Sequence, residues 1–287
     1  MTPYRDESIH WQVGEATLTV LSDGYFAIPL EYLIVNAQME KVLEAQQSAM
    51  RSNPTRLDVN AFLVRSPHHA PVLIDTGGGS QLMASLGRLP SALKAAGVSP
   101  DSIRTVLLTH LHGDHCGGLV DAEGNARFRN AEIVLHRAEA AWWLESNPDE
   151  VQDRKPFEFA RRTLAPYANR TRLIEGGEVV PGIRAVPLPG HTPGHTGYRP
   201  GSGPSSVLIW GDIVHVPAVQ SRLPDAGTVM DVDPALAVAT RRETFRQAAE
   251  EGSFIAGMHL EFPALAQLKS EGDGYRIVAA HWVAMQD

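Results

Sequence analysis

Cysteine occurs once in the 287-residue chain, so no internal disulfide can form and cysteine usage gives no sign of an oxidising compartment. Positive charge is scarce: 25 Lys plus Arg stand against 33 Asp plus Glu, a formal net charge of −8. Nucleic-acid binding usually needs a basic face, so this balance argues against such a partner. No stretch approaches the roughly 18–20 apolar residues of a membrane span. Met1 to Trp11 is polar, carries Arg5, Asp6 and Glu7, and lacks the apolar segment of a signal peptide. A cytoplasmic protein is therefore expected, with neither membrane nor nucleic acid as partner. Tandem repeats and low-complexity tracts are also missing. What remains is a globular composition, 43% hydrophobic and 20% charged, long enough for one large α/β domain or two small ones.

The chain is organised around Thr109-His110-Leu111-His112-Gly113-Asp114-His115-Cys116-Gly117-Gly118. It follows the apolar run Thr105-Val106-Leu107-Leu108, which reads as a buried strand opening onto a Gly-rich loop. The carboxyl end of a strand is where α/β proteins place their sites. Neutral imidazoles and a carboxylate suit Zn²⁺ or a related first-row divalent ion. His110 and His112 alternate and can grip one ion, while Asp114 and His115 point to a second.

His110-x-His112-x-Asp114-His115 resembles the signature of the metallo-β-lactamase superfamily. That resemblance implies an αββα sandwich, here taken as one α/β domain over residues 1–287. It also implies further ligands at later strand ends.

Ala16 to Leu21 alternates like a strand, Ser22-Asp23-Gly24 signals a turn, and Tyr25 to Leu30 resumes an extended apolar pattern. Glu31 to Ser52 reads as an amphipathic helix with Val35, Met39, Val42 and Ala49 near one face. Val59 to Val64 and Val72 to Ile74 are strands joined by a turn that exposes His68 and His69. Asp75-Thr76-Gly77-Gly78-Gly79 follows. Asp75 fits an Asx turn or helix cap, or a carboxylate that orients a metal-bound imidazole by hydrogen bond. The superfamily resemblance favours the latter, because Asp-Thr-Gly at this place recurs there. Ser80 to Ala96 is expected to be one helix kinked at Pro90 and closed by Gly97. Cys116 is taken as a small packing residue, and His136 as structural. Arg137 to Glu145 is helical, and one of Trp142 and Trp143 is expected to face the site.

The second half supplies Pro189-Gly190-His191-Thr192-Pro193-Gly194-His195 after the strand Ile183 to Leu188. By resemblance His191 completes the first ion's ligands, with His110 and His112, and His195 is a structural hydrogen-bonding residue. Asp212, after the strand Ser206 to Trp210, matches the superfamily's bridging aspartate, a role that suits the ~3.5–4 Å spacing of two-metal hydrolysis. His259, after the strand Ser253 to Met258, joins Asp114 and His115 at the second ion. Asp233-Pro234 opens a helix to about Glu251, Asp as N-cap and Pro as first helical residue. Gly272-Asp273-Gly274 is a hairpin signal.

Residues 205–279 most resemble methyl parathion hydrolase and its lactonase and arylesterase relatives, through Gly211-Asp212-Ile213-Val214-His215-Val216-Pro217 and Met258-His259-Leu260-Glu261-Phe262-Pro263. The resemblance implies a homodimeric hydrolase that uses a hydroxide between two divalent ions per chain to cleave esters, lactones or organophosphate triesters. Zinc is the first expectation, with Mn, Co or Fe also suited to these ligands. Asp114 is the candidate to hold the nucleophile and take its proton. His215 stands where acyl-homoserine lactonases tend to carry tyrosine; it either donates a hydrogen bond to substrate or packs. No basic cluster adjoins the motifs, so the substrate is expected to be small, neutral and aromatic, in a pocket drawn from Phe26, Ile28, Leu30, Trp142 and Trp143. A mononuclear-iron persulfide dioxygenase and a glyoxalase II-like thioesterase are the rival readings.

Overall fold

The computed structural model describes residues 8–147 and 153–281. The strands of the first half are β1 Ser8–Val13, β2 Ala16–Ile28, β3 Ile34–Val35, β4 Thr55–Ser66, β5 His69–Ile74, β6 Thr105–Leu107, β7 Glu132–His136 and β8 Thr171–Ile174. The second half adds β9 Gly177–Val180, β10 Ile183–Pro187, β11 Thr196–Pro200, β12 Val207–Ile209, β13 Gly227–Thr228, β14 Phe254–Ala256, β15 Leu265–Glu271 and β16 Gly274–Ala279. Among the described residues they form two seven-stranded sheets, ordered β1-β2-β4-β5-β6-β7-β8 and β16-β15-β14-β12-β11-β10-β9, with β3 and β13 paired apart.

Both faces of the first sheet are covered, and its residues divide by strict alternation. Phe62, Val64, Val72, Ile74, Leu107 and Val134 point inward and meet Ala185, Tyr198, Leu208, Ile255 and Ala266 of the second sheet in one core. Ala61, Leu63, Leu73, Val106, Ile133 and Leu135 point outward and pack with Leu89, Leu93, Phe157, Ala160 and Leu164 of the covering helices. Burial on both sides explains why the parallel strands β5 to β7 read as nearly unbroken apolar runs. The second sheet is covered by the Pro234–Glu251 helix through Phe245 and Ala248. This is the expected αββα sandwich. Asp233 caps that helix by accepting from the Leu236 N–H, and Gly252 closes it at φ 62°. No described helix is long and apolar enough to cross a membrane.

Three local expectations fail, each for a tertiary reason. Ser22-Asp23-Gly24 is a bulge within β2 rather than a turn, with the register against β4 shifting between Ser22 and Gly24. Gly24 is required there: it lies at φ 132°, and a Cβ would sit 2.1 Å from the Ser85 carbonyl oxygen. The bulge buries the Asp23 carboxylate, which accepts hydrogen bonds from the N–H groups of Gly78, Gly87 and Leu89 at 2.9–3.1 Å. Those bonds split the expected helix over 80–96 into Gly79–Leu82 and Leu89–Ala95, and Pro90 begins the second piece instead of kinking one helix. The helix expected from Glu31 is likewise two, Leu30–Leu33 and Met39–Ser48, because β3 intervenes to pair with β13. Val35 therefore lies in that strand and not on a helix face.

Candidate metal centre

Four strand ends converge at one edge of the sandwich. After β6 the chain presents His110 and His112, and the short Gly113–Cys116 helix carries Asp114 and His115. The second sheet brings His191 after β10, Asp212 after β12 and His259 after β14. Local backbone demands explain the glycines. Gly190 (φ 129°) passes so close to the Pro234–Glu251 helix that a Cβ would lie 2.3 Å from the Ala237 nitrogen. Gly211 (φ 60°) leaves room for His195, whose Nε2 accepts the Asp212 N–H at 2.9 Å while its Nδ1 contacts the Leu188 carbonyl at 2.8 Å. His195 is thus a brace for the loop of Asp212.

Two groups of donor atoms result. His110, His112, His191 and Asp212 form one, and Asp114, His115 and His259 the other; within each group the donor atoms lie within 4.8 Å of one another. In the first, His112 Nδ1 is 3.0 Å from His110 Nε2 and 2.9 Å from His191 Nε2. In the second, Asp114 Oδ2 lies 3.6 Å from His115 Nε2 and 3.4 Å from His259 Nε2. Asp212 Oδ2 stands between them, 3.4 Å from His191 Nε2 and 3.3 Å from both His115 Nε2 and His259 Nε2. His215 joins this cluster, its Nε2 3.2 Å from Asp212 Oδ2 and its ring stacked on His259 at 5.2 Å. A third possible ion-holding set, Asp212, His215 and His259, follows from that contact.

The donor set fits divalent cations. His115 Nε2, Asp212 Oδ1 and His215 Nδ1 are buried with no protein hydrogen-bond partner, although buried polar atoms normally have one. Burial pushes His110 and His191 well down and His112 to about 4, so all three rings are neutral near pH 7, the state a ligand needs. Burial works against ionised Asp212, but His115, His259, His215 and His110 outweigh it and hold the carboxyl well below the usual range. Burial likewise opposes protonated His115, and Asp212, Asp114 and Asp75 raise its pKa in spite of it.

The far ring nitrogens are held from behind. Asp75, at φ 56°, accepts from the Thr109 N–H and hydroxyl and sits 2.7 Å from His115 Nδ1. His259 Nδ1 meets the Asp58 carbonyl at 2.8 Å, and His191 Nδ1 meets Asp231 Oδ1 at 2.9 Å. Asp58 and Asp231 have no motif in the sequence to mark them, nor does Glu139, a carboxylate buried nearby. Asp231 also accepts the Thr228 N–H, and the buried Arg241, which donates to the carbonyls of Ile213, Pro224 and Ala226, lies 3.9 Å away. Carboxylates that orient a ligating imidazole fix its tautomer and contribute to metal affinity. Replacing Asp231 with Asn is therefore expected to weaken uptake of one ion about 10–100-fold, as read by titration against a chromogenic chelator.

Cys116 is buried against Leu111, its sulfur 3.6 Å from that carbonyl, and burial pushes its thiol pKa up, as befits a packing residue. His136 caps the Arg137–Ala140 helix by accepting from Ala138.

A cavity of about 850 Å³ opens against His112, Gly113 and Asp114. Of the expected pocket residues, Phe26, Trp142 and Trp143 line it. Ile28 and Leu30 do not. β2 ends at Ile28, and Pro29 turns the chain into the Leu30–Leu33 helix; Leu30 is fully buried and Ile28 packs beside it in a separate core with Val42, Leu57 and Val219. In their place stand Leu82, Met83 and Leu86 from the loop held by Asp23, Phe157 and Phe159 from the Lys155–Leu164 helix, and Val229, Met230 and Val232. His215 is absent from the wall, so its contacts are with the donor cluster.

The model of the metallo-beta-lactamase superfamily matches residues 54–252. The chain belongs to the metallo-β-lactamase superfamily. Among solved structures, the hydrolase AbOPH of this superfamily superposes with a TM-score of 0.91 at 30% identity, covering 98% of this chain and 100% of the other. AidC, a dizinc quorum-quenching lactonase solved with the product N-hexanoyl-L-homoserine, superposes with a TM-score of 0.90 at 24% identity over 97% of this chain and all of its own, which shows a shared fold. By sequence, an N-acyl homoserine lactonase of Bacillus cereus is 30% identical over 165 residues, 50% of this chain and 58% of that protein. AiiA of Bacillus thuringiensis subsp. kurstaki is 29% identical over 159 residues, 48% of this chain and 56% of its own length. The match thus spans little more than half of these lactonases. In this member of the superfamily both halves of the motif set meet at one point.

Proposed function

We propose that this chain is a metal-dependent hydrolase of neutral lactones and carboxylic esters, with organophosphate triesters as secondary substrates. The observation that carries this reading is the mainly apolar cavity set directly on Asp114 and His112. His110, His112 and His191 would hold one ion and Asp114, His115 and His259 the other, with Asp212 between them. Two such ions, zinc first among them, supply Lewis acidity and lower the pKa of water.

The chain's own groups do the rest. Asp114 is the carboxylate among the donors that lines the cavity and is 15% exposed, so it orients an attacking water and accepts its proton. Asp75, Asp231 and the Asp58 carbonyl keep the imidazoles aimed. His215 steadies Asp212 from the side away from the cavity wall. Phe26, Trp142, Trp143 and Phe157 exclude water and give an apolar ring or chain its place, while Lys155 is the one cation among the described residues of the wall. One cation is a poor match for a strongly anionic thioester, which weighs against the glyoxalase II-like reading. The lactonase relatives and structural neighbours support carbonyl substrates. The likeness of residues 205–279 to methyl parathion hydrolase supports the phosphotriester activity and a homodimer, which light scattering would test.

The test is kcat/KM of the metal-replete protein on an aromatic δ-lactone or aryl ester beside a dimethyl aryl phosphotriester. The carbonyl substrate is expected to win by orders of magnitude. Equal or better phosphotriester turnover would reverse that order, and one iron per chain with oxygen consumption would favour the persulfide dioxygenase instead.

A further inference from the structure

Glu139 is fully buried on the short helix after β7, at the place where the two sheets' loops meet. Its carboxylate accepts four hydrogen bonds from three segments. Oε1 takes the Leu111 N–H at 3.0 Å and the Trp143 indole N–H at 2.5 Å. Oε2 takes the Thr192 hydroxyl at 2.7 Å and the Gly194 N–H at 3.0 Å. Leu111 separates His110 from His112, and Thr192 follows His191. Gly194 packs straight onto this residue, where a Cβ would lie 2.2 Å from the Glu139 nitrogen. Trp143 in turn meets the His112 ring edge-on at 5.2 Å and lines the cavity.

We propose that Glu139 is a positioning residue that clamps the His110–His112 loop of one sheet to the His191 loop of the other, and so sets the affinity of the three-histidine ion site and ties it to the cavity wall. This rests on the metal reading above. His112 Nδ1 lies 2.9–3.0 Å from both His110 Nε2 and His191 Nε2 and carries at most one proton to share with them, so the loops need another tie. Glu139 is suited to hold them, because it has no free lone-pair direction left for an ion, two of its partners, Leu111 and Thr192, are next to ligands, and none is a ligand itself. His115 and His259 are braced separately, by Asp75 and the Asp58 carbonyl. Burial pushes the Glu139 carboxyl up to about 7 against the pull of its four donors, and only the ionised form can accept all four.

The experiment is Glu139→Gln. An amide of the same shape must turn its NH₂ toward either Leu111 and Trp143, losing both of those bonds, or Thr192 and Gly194, losing the Gly194 bond while the Thr192 hydroxyl turns to accept. Apo protein titrated with Zn²⁺ against a chromogenic chelator, and with Co²⁺ followed by its visible absorption, is expected to lose about 10–100-fold affinity in one of two binding steps, the other step staying unchanged. Thr192→Val, which removes a single donor, is expected to weaken the same step less. A merely structural role would lower apo thermal stability and leave the two steps in their wild-type ratio; that result overturns the proposal. If Glu139→Gln fails to fold, unchanged affinities in Thr192→Val overturn it alone. Wild-type protein that takes up no ion refutes the metal reading itself, and does so before any variant is compared.

Discussion

Replacing Asp114 with Asn is expected to lower kcat by about 10²–10⁴-fold, the usual contribution of a positioned general base. Asn has the same shape and offers a carbonyl oxygen, but it accepts no proton near neutral pH. The neighbours of Asp114 make it the right group for that role. Its Oδ2 lies 3.4–3.6 Å from His259 Nε2 and His115 Nε2, and its side chain reaches the cavity where the buried Asp212 does not. Asp212 is hemmed in by five imidazoles and kept strongly ionised, which makes it a poor proton acceptor and a good anchor. The expected pattern is therefore a large fall in kcat with a small change in KM, since apolar contacts with the cavity wall are untouched. Steady-state kinetics with metal content measured on the same samples checks this. A variant that keeps both ions and nearly full turnover would remove Asp114 from proton transfer. A variant that loses one ion along with its activity would make it a ligand first.

Stripping the protein with a chelator is expected to abolish hydrolysis and to lower Tm by roughly 5–10 °C per ion lost, with both restored by Zn²⁺. The stability figure follows from about 2.7 kcal/mol for a ligand at 100 times its Kd and about 2–4 °C per kcal/mol for a chain somewhat smaller than this one. The structural reason is local. Without ions, His112 Nδ1 faces both His110 Nε2 and His191 Nε2 at 2.9–3.0 Å with at most one proton to share, and His115 Nε2 and Asp212 Oδ1 are buried with no protein partner. Groups of that kind cost stability when left unmet. Calorimetry before and after chelation decides the matter. An unchanged Tm would mean that the imidazole cluster is satisfied by the fold alone, and the ion-holding role would fall with it.

Much of the framework was written in short stretches of chain. A strand end, a glycine and a polar residue within six positions specify a loop and a side chain at its tip whatever the rest of the protein does. The Thr105–Leu107 strand and the loop from His110 to His115 are readable for that reason, as are Asp212 and His259 after their own strands. The Pro234–Glu251 helix begins at its own N-cap, and the hairpin from β15 to β16 turns at its own glycines. The αββα arrangement was legible through the resemblance of the histidine motif to the superfamily.

Other features depended on which segments met. The Ser22-Asp23-Gly24 stretch has the composition of a turn, yet the Asp23 carboxylate is claimed by N–H groups 55 to 66 residues away and becomes the support of a cavity wall. Ile28 and Leu30 continue the pattern of Phe26, but Pro29 and the β3–β13 pairing carry them into another core. Glu139 looks like any surface glutamate in Arg-Ala-Glu-Ala, and its hydrogen-bond partner Thr192 is 53 positions on; Asp231 and His191 are 40 apart. Sequence by itself determined the residues whose roles are set by their own strand ends. Tertiary structure alone decided which carboxylates brace them and which side chains enclose the substrate, because a buried charge or an apolar wall takes its meaning from distant chain packed against it.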